Sequence, residues 1–165
     1  MRLTANRALV AAAAVLAAVA GAQQVYIASR PEPAEVLHYP VQRVLSRVGG
    51  SDRPSVRLGQ DIEVRGTKCN DSTTPVPISG VTSWVSLDPP GTVIETGHGA
   101  TVRAPGCSTR TYSNPIPELV AARTRAIAAA TSAPCVTWMV AGVETPTNPL
   151  ILAAQWQSEP VDICV

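Results

Sequence analysis

The sequence predicts an all-β fold, an antiparallel sandwich with one short helix, preceded by an N-terminal transmembrane helix. Three observations lead to this prediction. The chain opens with an apolar run, it continues from residue 55 as short alternating segments separated by Pro and Gly, and one alanine-rich segment interrupts that alternation. Seven or eight strands in residues 55–165 match the size and strand count of an immunoglobulin-like sandwich.

Composition limits the classes of function. The 165 residues suffice for one domain of ordinary size and an appendage. Lys and Arg number 13 against 12 Asp and Glu, so the chain lacks the concentrated basic surface that binds phosphates, and we expect no nucleic-acid partner. Because Phe is absent and aromatic residues make up 4%, the core must consist of small aliphatic side chains around Trp84, Trp138 and Trp156.

The N-terminal segment has the features of an export signal. Arg2 and Arg7 stand at its start, a charge bias that keeps the N-terminus in the cytoplasm. As a helix, the run from Ala8 to Ala22 covers only about 22 Å, but continued to Ser29 it covers about 33 Å and spans the hydrocarbon core. We expect an uncleaved signal-anchor from Ala8 to Ser29, while cleavage after Ala22 stays open.

These features divide the chain into three parts. Residues 1–29 are the anchor, residues 30–54 a Pro- and Gly-containing linker, and residues 55–165 the ectodomain. Within the linker, Val41 to Val48 has the spacing of two helical turns. The predicted location is the inner membrane, single-pass, with the C-terminal domain outside.

The ectodomain contains a series of predicted strands. In Val81 to Leu87 the alternation places Trp84 on the face opposite Val81 and Val85. Asp88 to Gly91 reads as a turn. The other predicted strands are Asp61–Arg65, Thr92–Thr96 and Ala100–Ala104 as a hairpin through Gly97–Gly99, Ser108–Ser113, Cys135–Val143, Leu150–Gln157 and Val161–Val165.

One segment, Pro117 to Ala130, predicts a short helix across one end of the sandwich. Proline is well suited to a helix start, Glu118 follows in the first turn, and alanine is frequent. An anion site at Arg123 and Arg125 is the alternative to a solvated helix face, which is the simpler interpretation.

The cysteines predict disulfides. Four of them, an even number, follow the apolar segment, which is typical of an exported domain. Three pairings are possible, and we favour Cys69 with Cys107 and Cys135 with Cys164, since each pair joins strand ends that a sandwich can bring together. A zinc site is the rival interpretation, weakened by the absence of a CxxC motif.

No pattern of catalytic residues emerges. The sequence has no GxSxG, no HExxH and no phosphate-binding glycine loop. His38 falls in the linker and His98 in the predicted hairpin. Asp88 and Glu95 flank a turn with nothing to tune their pKa values, and Asn70–Ser72 is a glycosylation sequon that we take as accidental. We therefore expect no enzyme activity, no catalytic residue, no metal and no cofactor.

Four stretches carry a family resemblance: Thr67–Cys69, Gly80–Cys107 (GVTSWVSLDPPGTVIETGHGATVRAPGC), Tyr112–Arg125 (YSNPIPELVAARTR) and Thr137–Pro146 (TWMVAGVETP). With the Arg-flanked N-terminus, they resemble small membrane-anchored proteins encoded by bacteriophages of actinobacteria such as mycobacteria. The resemblance implies a protein of the host cytoplasmic membrane with an immunoglobulin-like ectodomain. The group has no assigned activity, so no site residue carries over.

The predicted function is a membrane-tethered, extracytoplasmic binding module that contacts a protein or envelope partner, for example in superinfection exclusion or lysis. Three loops are the predicted contact face, Asp71–Pro77, Asp88–Gly91 and Glu144–Pro149, since they are rich in polar residues and Pro. The alternatives are a structural or decoration protein of the virion and a secreted domain released by signal cleavage. The sequence leaves the ligand and the oligomeric state open.

Overall fold

The computed structural model describes residues 31–40, 43–45 and 54–165. The chain divides into two compact units, Met1–Glu32 and Pro33–Val165, and the fold below is that of the second. Its elements are β1 Leu37–His38, β2 Arg43–Leu45, β3 Ser55–Arg57, β4 Asp61–Asn70, β5 Val76–Asp88, β6 Pro90–Arg103, β7 Gly106–Pro115, α1 Glu118–Thr131, β8 Cys135–Pro146, β9 Ala154–Gln157 and β10 Val161–Cys164.

The strands form the two sheets of a β-sandwich. In the first sheet, β7 pairs with all of β4 along one side, and the short strands β1 and β2 pair with β4 along its other side. The second sheet has the order β3-β10-β8-β5-β6, and β9 pairs with the C-terminal half of β8 beside β10.

The second sheet is mixed, which corrects the prediction of a purely antiparallel sandwich. β3 and β10 run parallel, with Val56 opposite Ile163. Parallel neighbours need a long connection, and here the connection is most of the domain, since β3 is the first strand of this sheet in chain order and β10 is the last. Alternation within each strand carries no information about such a distant pairing.

The main core lies around Trp138, which is fully buried. The inward positions of β8 contribute Val136 and Val140 on either side of it, and Ile62 of the first sheet packs into the same cluster. The remaining buried members of this cluster are Val56, Trp84, Ile116, Val120, Ile127, Val161 and Ile163. A smaller cluster joins Leu37, Val76, Ile78 and Ala154.

The helix α1 begins one residue after Pro117 and ends at Thr131, where Ser132 adopts a left-handed conformation (φ 56°). Its buried face includes Val120 and Thr124. The Thr124 hydroxyl donates to the carbonyl of Val120 (2.8 Å) and accepts from Nε1 of Trp138 (3.0 Å), so the buried indole keeps a hydrogen-bond partner.

The β5–β6 hairpin confirms one sequence expectation and corrects another. Trp84 lies on the core face of β5, and Leu87 on the opposite face is 38% exposed, as the alternation predicts. The predicted hairpin through Gly97–Gly99 is wrong, because β6 is one strand whose Gly99 pairs with Gly80. The long β5 offers partners along its length and overrides the local turn signal. The turn before Pro90 forms as predicted and contains a cis Asp88–Pro89 bond.

Part of the predicted linker belongs to the sandwich unit. Leu37 in β1 is 3% exposed and packs in the smaller core cluster. Arg43–Leu45, where the spacing predicts helical turns, forms the strand β2 against β4. An eight-residue segment is too short to hold a helix by itself, and the free side of β4 supplies a ladder of hydrogen bonds instead. The remaining residues of Val41–Val48 lie outside the described residues.

Within the part of the chain that the structure describes, no helix combines the length and the apolar character needed to cross a membrane. The one described helix, α1, has 14 residues and carries Glu118, Arg123 and Arg125, so it reaches about 21 Å against about 30 Å of hydrocarbon. The predicted fold class with a transmembrane helix and the predicted single-pass inner-membrane location are corrected by this finding. The span assigned to Ala8–Ser29 lies outside the described residues.

Two disulfides connect neighbouring strands. Cys69 on β4 is bonded to Cys107, the residue directly opposite on β7, and Cys135 on β8 is bonded to Cys164, directly opposite on β10. These are the pairs that the sequence favours. A zinc site would need thiolates, and all four sulfurs are engaged in disulfides.

Candidate binding site

A buried carboxylate connects the two sheets. Glu144 occupies an inward position of β8, and its side chain is 7% exposed. Three side chains from distant parts of the chain converge on it: Tyr39 just after β1, Lys68 on β4 and Arg103 at the end of β6. We call these four residues the Glu144 cluster.

The geometry of the Glu144 cluster is that of a satisfied ion network. One terminal nitrogen of Arg103 donates to both carboxylate oxygens, at 2.7 and 2.8 Å. Lys68 Nζ donates to Oε1 at 2.9 Å, and the Tyr39 hydroxyl donates to Oε2. Burying a carboxylate is costly unless it is paired and hydrogen-bonded, and here both oxygens have partners of opposite charge.

The Glu144 cluster has one more cation than anions, since Lys68 and Arg103 face a single carboxylate. In the described structure, Nε of Arg103 is buried and makes no hydrogen bond. Burial acts to lower the pKa of Arg103, but the hydrogen bond and the charge of Glu144, together with Tyr39, outweigh this and raise it. The guanidinium therefore stays charged.

The same contacts fix the protonation of the two acids. Burial acts to raise the pKa of Glu144, but the hydrogen bonds from Arg103, Tyr39 and Lys68 outweigh it and hold this pKa below its ordinary value. For Tyr39, burial and then the hydrogen bond to Glu144 both raise the pKa far above the range of a free phenol. At neutral pH the carboxylate is ionised and the phenol is protonated, as the hydrogen-bond directions require.

Two aromatic rings stand beside the Glu144 cluster. Lys68 Nζ lies 5.8 Å from the ring centre of Tyr39 and 5.5 Å from that of Trp156, within the range of a cation–π contact. Trp156 on β9 is directly opposite Gly142 on β8. A Cβ atom at Gly142 would lie 2.3 Å from the indole ring, so only glycine lets Trp156 lie against this strand.

These rings border a cavity of about 370 Å³, which we call the Tyr39–Trp156 cavity. Its volume falls in the range of small-molecule sites, about 300 to 1,000 Å³. Its surface is mostly apolar. Besides the two aromatic residues, its lining consists of Val81, Ser83, Ala141, Gly142, Val143, Gln155 and Gln157.

The predicted contact loops are distributed differently from the expectation. Glu144, the first residue of one loop, belongs to β8 and is the centre of the buried cluster. At the end of β4, the fully buried Asn70 accepts hydrogen bonds from Ser72 in the following loop and donates to the carbonyls of Thr74 and Arg103. The amide of the sequon is thus buried in the fold and occupied by these bonds.

The other charged candidates do not come together. Arg123 and Arg125 are exposed on α1, where Arg123 Nε donates to the Thr92 hydroxyl at 3.3 Å. Glu95 pairs with the exposed His98 on the same strand. His38 lies 3.1 Å from Asp71 at the surface.

The sequence did not predict that four residues of the site form one group: Tyr39, Lys68, Arg103 and Glu144. Two signals could have indicated them. Glu144 stands at an inward position of an alternating apolar strand, and Lys68 is the only lysine in the chain. Neither signal names its partner, because the four residues are joined by pairing between distant strands.

Comparison with known proteins gives no family. No family model matches the chain, and no curated protein does. Among solved structures, the sporulation control protein Spo0M of Bacillus subtilis has a TM-score of 0.45 at 7% identity, covering 80% of this chain and 51% of that one. A protein from Archaeoglobus fulgidus has a TM-score of 0.44 at 8% identity, covering 77% and 97%.

A third structure is the alkylpurine DNA glycosylase AlkC of Pseudomonas fluorescens, bound to DNA containing an abasic-site analog. Its TM-score is 0.44 at 10% identity, covering 76% of this chain and 31% of that one. The chain thus spans about half the length of Spo0M and under a third of AlkC. Similarities this distant support no inference about activity, and the chain is assigned to no family.

Proposed function

We propose that this domain is an extracytoplasmic binding module whose ligand is a saccharide held in the Tyr39–Trp156 cavity. The observation that carries the proposal is the lining of that cavity, in which two aromatic residues and two glutamines border one concave space beside the Glu144 cluster. The ligand is an envelope component in this proposal, rather than a nucleic acid.

The chemistry of the lining suits a polyhydroxylated ligand. A sugar ring has an apolar C–H face, which packs well against an aromatic ring such as Trp156 or Tyr39. The amides of Gln155 and Gln157 and the hydroxyl of Ser83 each donate and accept hydrogen bonds, so they match the dual character of sugar hydroxyls. A ligand site usually has a mostly apolar surface with a few polar groups directed at the ligand.

The rings are held in place before any ligand arrives. Tyr39 is fixed by its hydrogen bond to Glu144, and Trp156 by the pairing of β9 with β8 over Gly142. Side chains that are already ordered lose little conformational entropy on binding, which favours affinity. The Glu144 cluster thus acts as the support of the site, and the proposal assigns it no catalytic step.

In this proposal, the cysteines indicate that the protein functions outside the cytoplasm. All four are paired in disulfides, which persist in oxidising, extracytoplasmic environments and are rare in the cytosol. Saccharides of the cell envelope are present in that compartment.

A titration tests the proposal. The disulfide-bonded chain is titrated with mono- to tetrasaccharides, including N-acetylglucosamine oligomers, while tryptophan fluorescence and backbone amide shifts are recorded. We expect saturable binding with shifts concentrated at 155–157 and 141–143. The double variant Gln155→Ala, Gln157→Ala should raise Kd at least tenfold, a loss of about 1.4 kcal/mol, because two exposed amides of the lining are removed.

A matched control is Gln60→Ala, since Gln60 is exposed in the turn before β4 and does not line the cavity. Its Kd should equal that of the parent chain. A saccharide panel that produces no shift at 155–157, or a double variant that binds as tightly as Gln60→Ala, would overturn the proposal.

A further inference from the structure

Among the described residues, the outer side of β6 is an unpaired sheet edge. β6 pairs with β5, and no described strand pairs with its other side. The amide of Thr92 points toward β5, where it donates to the Ser86 hydroxyl at 2.9 Å. Successive amides along a strand point to opposite sides, so the amide and carbonyl of Val93 face outward. Such an edge is a template for pairing with another extended chain.

Next to this edge runs an apolar groove of about 500 Å³ between β6 and α1. Leu119 of the helix is 67% exposed, an unusually high value for a large aliphatic residue on the wall of a groove. The helix side is continued by Ala122 and Ala126, which are spaced to lie on one face with Leu119. Small side chains at these positions leave room for a side chain of a ligand.

The two charged residues that line the groove differ in their partners. Glu95 is engaged by His98. Arg123 donates through Nε to the Thr92 hydroxyl and pairs with no carboxylate of the described residues. Glu95 and Arg123 both line the groove, but only Arg123 has no charged partner among the described residues. Its guanidinium favours an occupant that carries an acidic group next to its apolar side chain.

We propose that β6 and α1 form a docking groove for an extended, acidic-apolar segment of a partner protein, which adds to the sheet as a strand along β6. The free backbone groups of the edge select an extended chain, the groove accepts one of its apolar side chains, and Arg123 selects an adjacent Asp or Glu. A strand laid on a sheet edge gains affinity from main-chain hydrogen bonds and specificity from side-chain pockets. The proposal is independent of the saccharide site, which involves other residues.

A second copy of this chain fits the groove less well. Pairing of two β6 edges would bring the same residues together, and the carboxylate that this segment offers, Glu95, is already occupied by His98. Self-association of the chain through this groove would therefore contradict the proposal.

The test begins with a displayed library of random decapeptides, selected on the disulfide-bonded 165-residue chain. Recovered peptides are synthesised and titrated, with backbone amide shifts as the readout. We expect enrichment of sequences that alternate apolar residues and contain Asp or Glu, with shifts at 92–95 and 119–126. Arg123→Gln should weaken their binding at least fivefold, and more at low ionic strength than at high, since the lost contact is electrostatic.

Two further variants address the backbone and the groove. Val93→Pro removes the outward amide, at an edge position where proline is tolerated, and Leu119→Glu places a charge on the helix wall. Each should raise Kd at least tenfold. Leu150→Glu is the matched control, because Leu150 is 48% exposed and does not line the groove, and its Kd should be unchanged.

Three results would overturn the proposal. The first is a library that yields no peptide with a Kd below about 1 mM, which corresponds to about −4 kcal/mol. The second is a set of shifts that lies outside 92–95 and 119–126. The third is a dimer of the chain, detected by sedimentation, that Leu119→Glu dissociates and Leu150→Glu does not, which would assign the groove to a second copy.

Discussion

Glu144 is the one charged side chain classed as buried among the described residues, and its surroundings account for that exception. A buried charge is tolerated when hydrogen-bonded partners of opposite sign compensate its lost hydration. Lys68 and Arg103 provide this compensation from two different strands, and Tyr39 adds a neutral donor. The network therefore links β1, β4, β6 and β8 at one point.

Glu144→Gln should destabilise the fold. The substitution leaves two cations without a carboxylate, and breaking a buried pair costs about 3 to 5 kcal/mol. Since the Lys68 side chain is 27% exposed and that of Arg103 16%, water can compensate part of this loss, and we expect about 2 to 3 kcal/mol. Urea unfolding at pH 7 measures the difference. The exposed Glu118→Gln is the matched control, with a change below about 1 kcal/mol.

The same carboxylate predicts a pH dependence. Because the pKa of Glu144 in the folded chain is below its ordinary value of 4.5, its stabilising effect is present above that value and is lost as the pH falls through the folded-state pKa. The free energy of unfolding should decline below about pH 4.5 in the parent chain. In Glu144→Gln the decline should be shallower, and equal slopes in the two chains would contradict this assignment.

At the scale of elements, the contact between β8 and β9 depends on one missing side chain. Trp156 lies over Gly142, where any Cβ atom would overlap the indole. The strand β9 has only four residues, so the packing of its tryptophan supplies much of its attachment. The shape of the Tyr39–Trp156 cavity depends on the same contact, since both residues line it.

Gly142→Ala should therefore displace Trp156. Overpacking of this kind costs about 1 to 3 kcal/mol, and tryptophan fluorescence should shift as the ring moves. Gly99→Ala is the matched control, because a Cβ atom at Gly99 meets nothing within 4 Å. If both variants show the same stability and the same spectrum, Trp156 is not held by Gly142.

For the molecule as a whole, the disulfides compensate a core with few large side chains. The chain has no Phe, and its main core is built of aliphatic residues around Trp84 and Trp138. The two disulfides close loops with sequence separations of 38 and 29 residues. By the chain-entropy estimate each contributes about 3.5 to 4 kcal/mol, which together is comparable with the whole stability of a typical domain, about 5 to 15 kcal/mol.

Removal of one disulfide tests this balance. The double variant Cys135→Ser, Cys164→Ser should lose about 3 to 4 kcal/mol, and full reduction of the parent chain should lower its melting temperature further than this variant does. Differential scanning calorimetry with and without a reductant measures both effects. Equal melting temperatures for the oxidised and reduced parent chain would show that the core is sufficient alone.

Several expectations are not tested by the fold. The resemblance to phage-encoded proteins and the role in superinfection exclusion or lysis stay predictions, since none of the matching structures bears on them. The expected absence of enzyme activity stays a prediction as well.

The sequence by itself determined the β class, the position of α1, the turn before β6 and an even number of cysteines that form disulfides. These features are local, because alternation, Pro and Gly placement and alanine content act over a few neighbouring residues. Only the tertiary structure decided that β3 and β10 pair in parallel, that β1 belongs to the first sheet, and that Tyr39 meets Glu144 across 105 residues. Contacts over such separations are set by strand pairing between distant segments, and a local pattern carries no information about them.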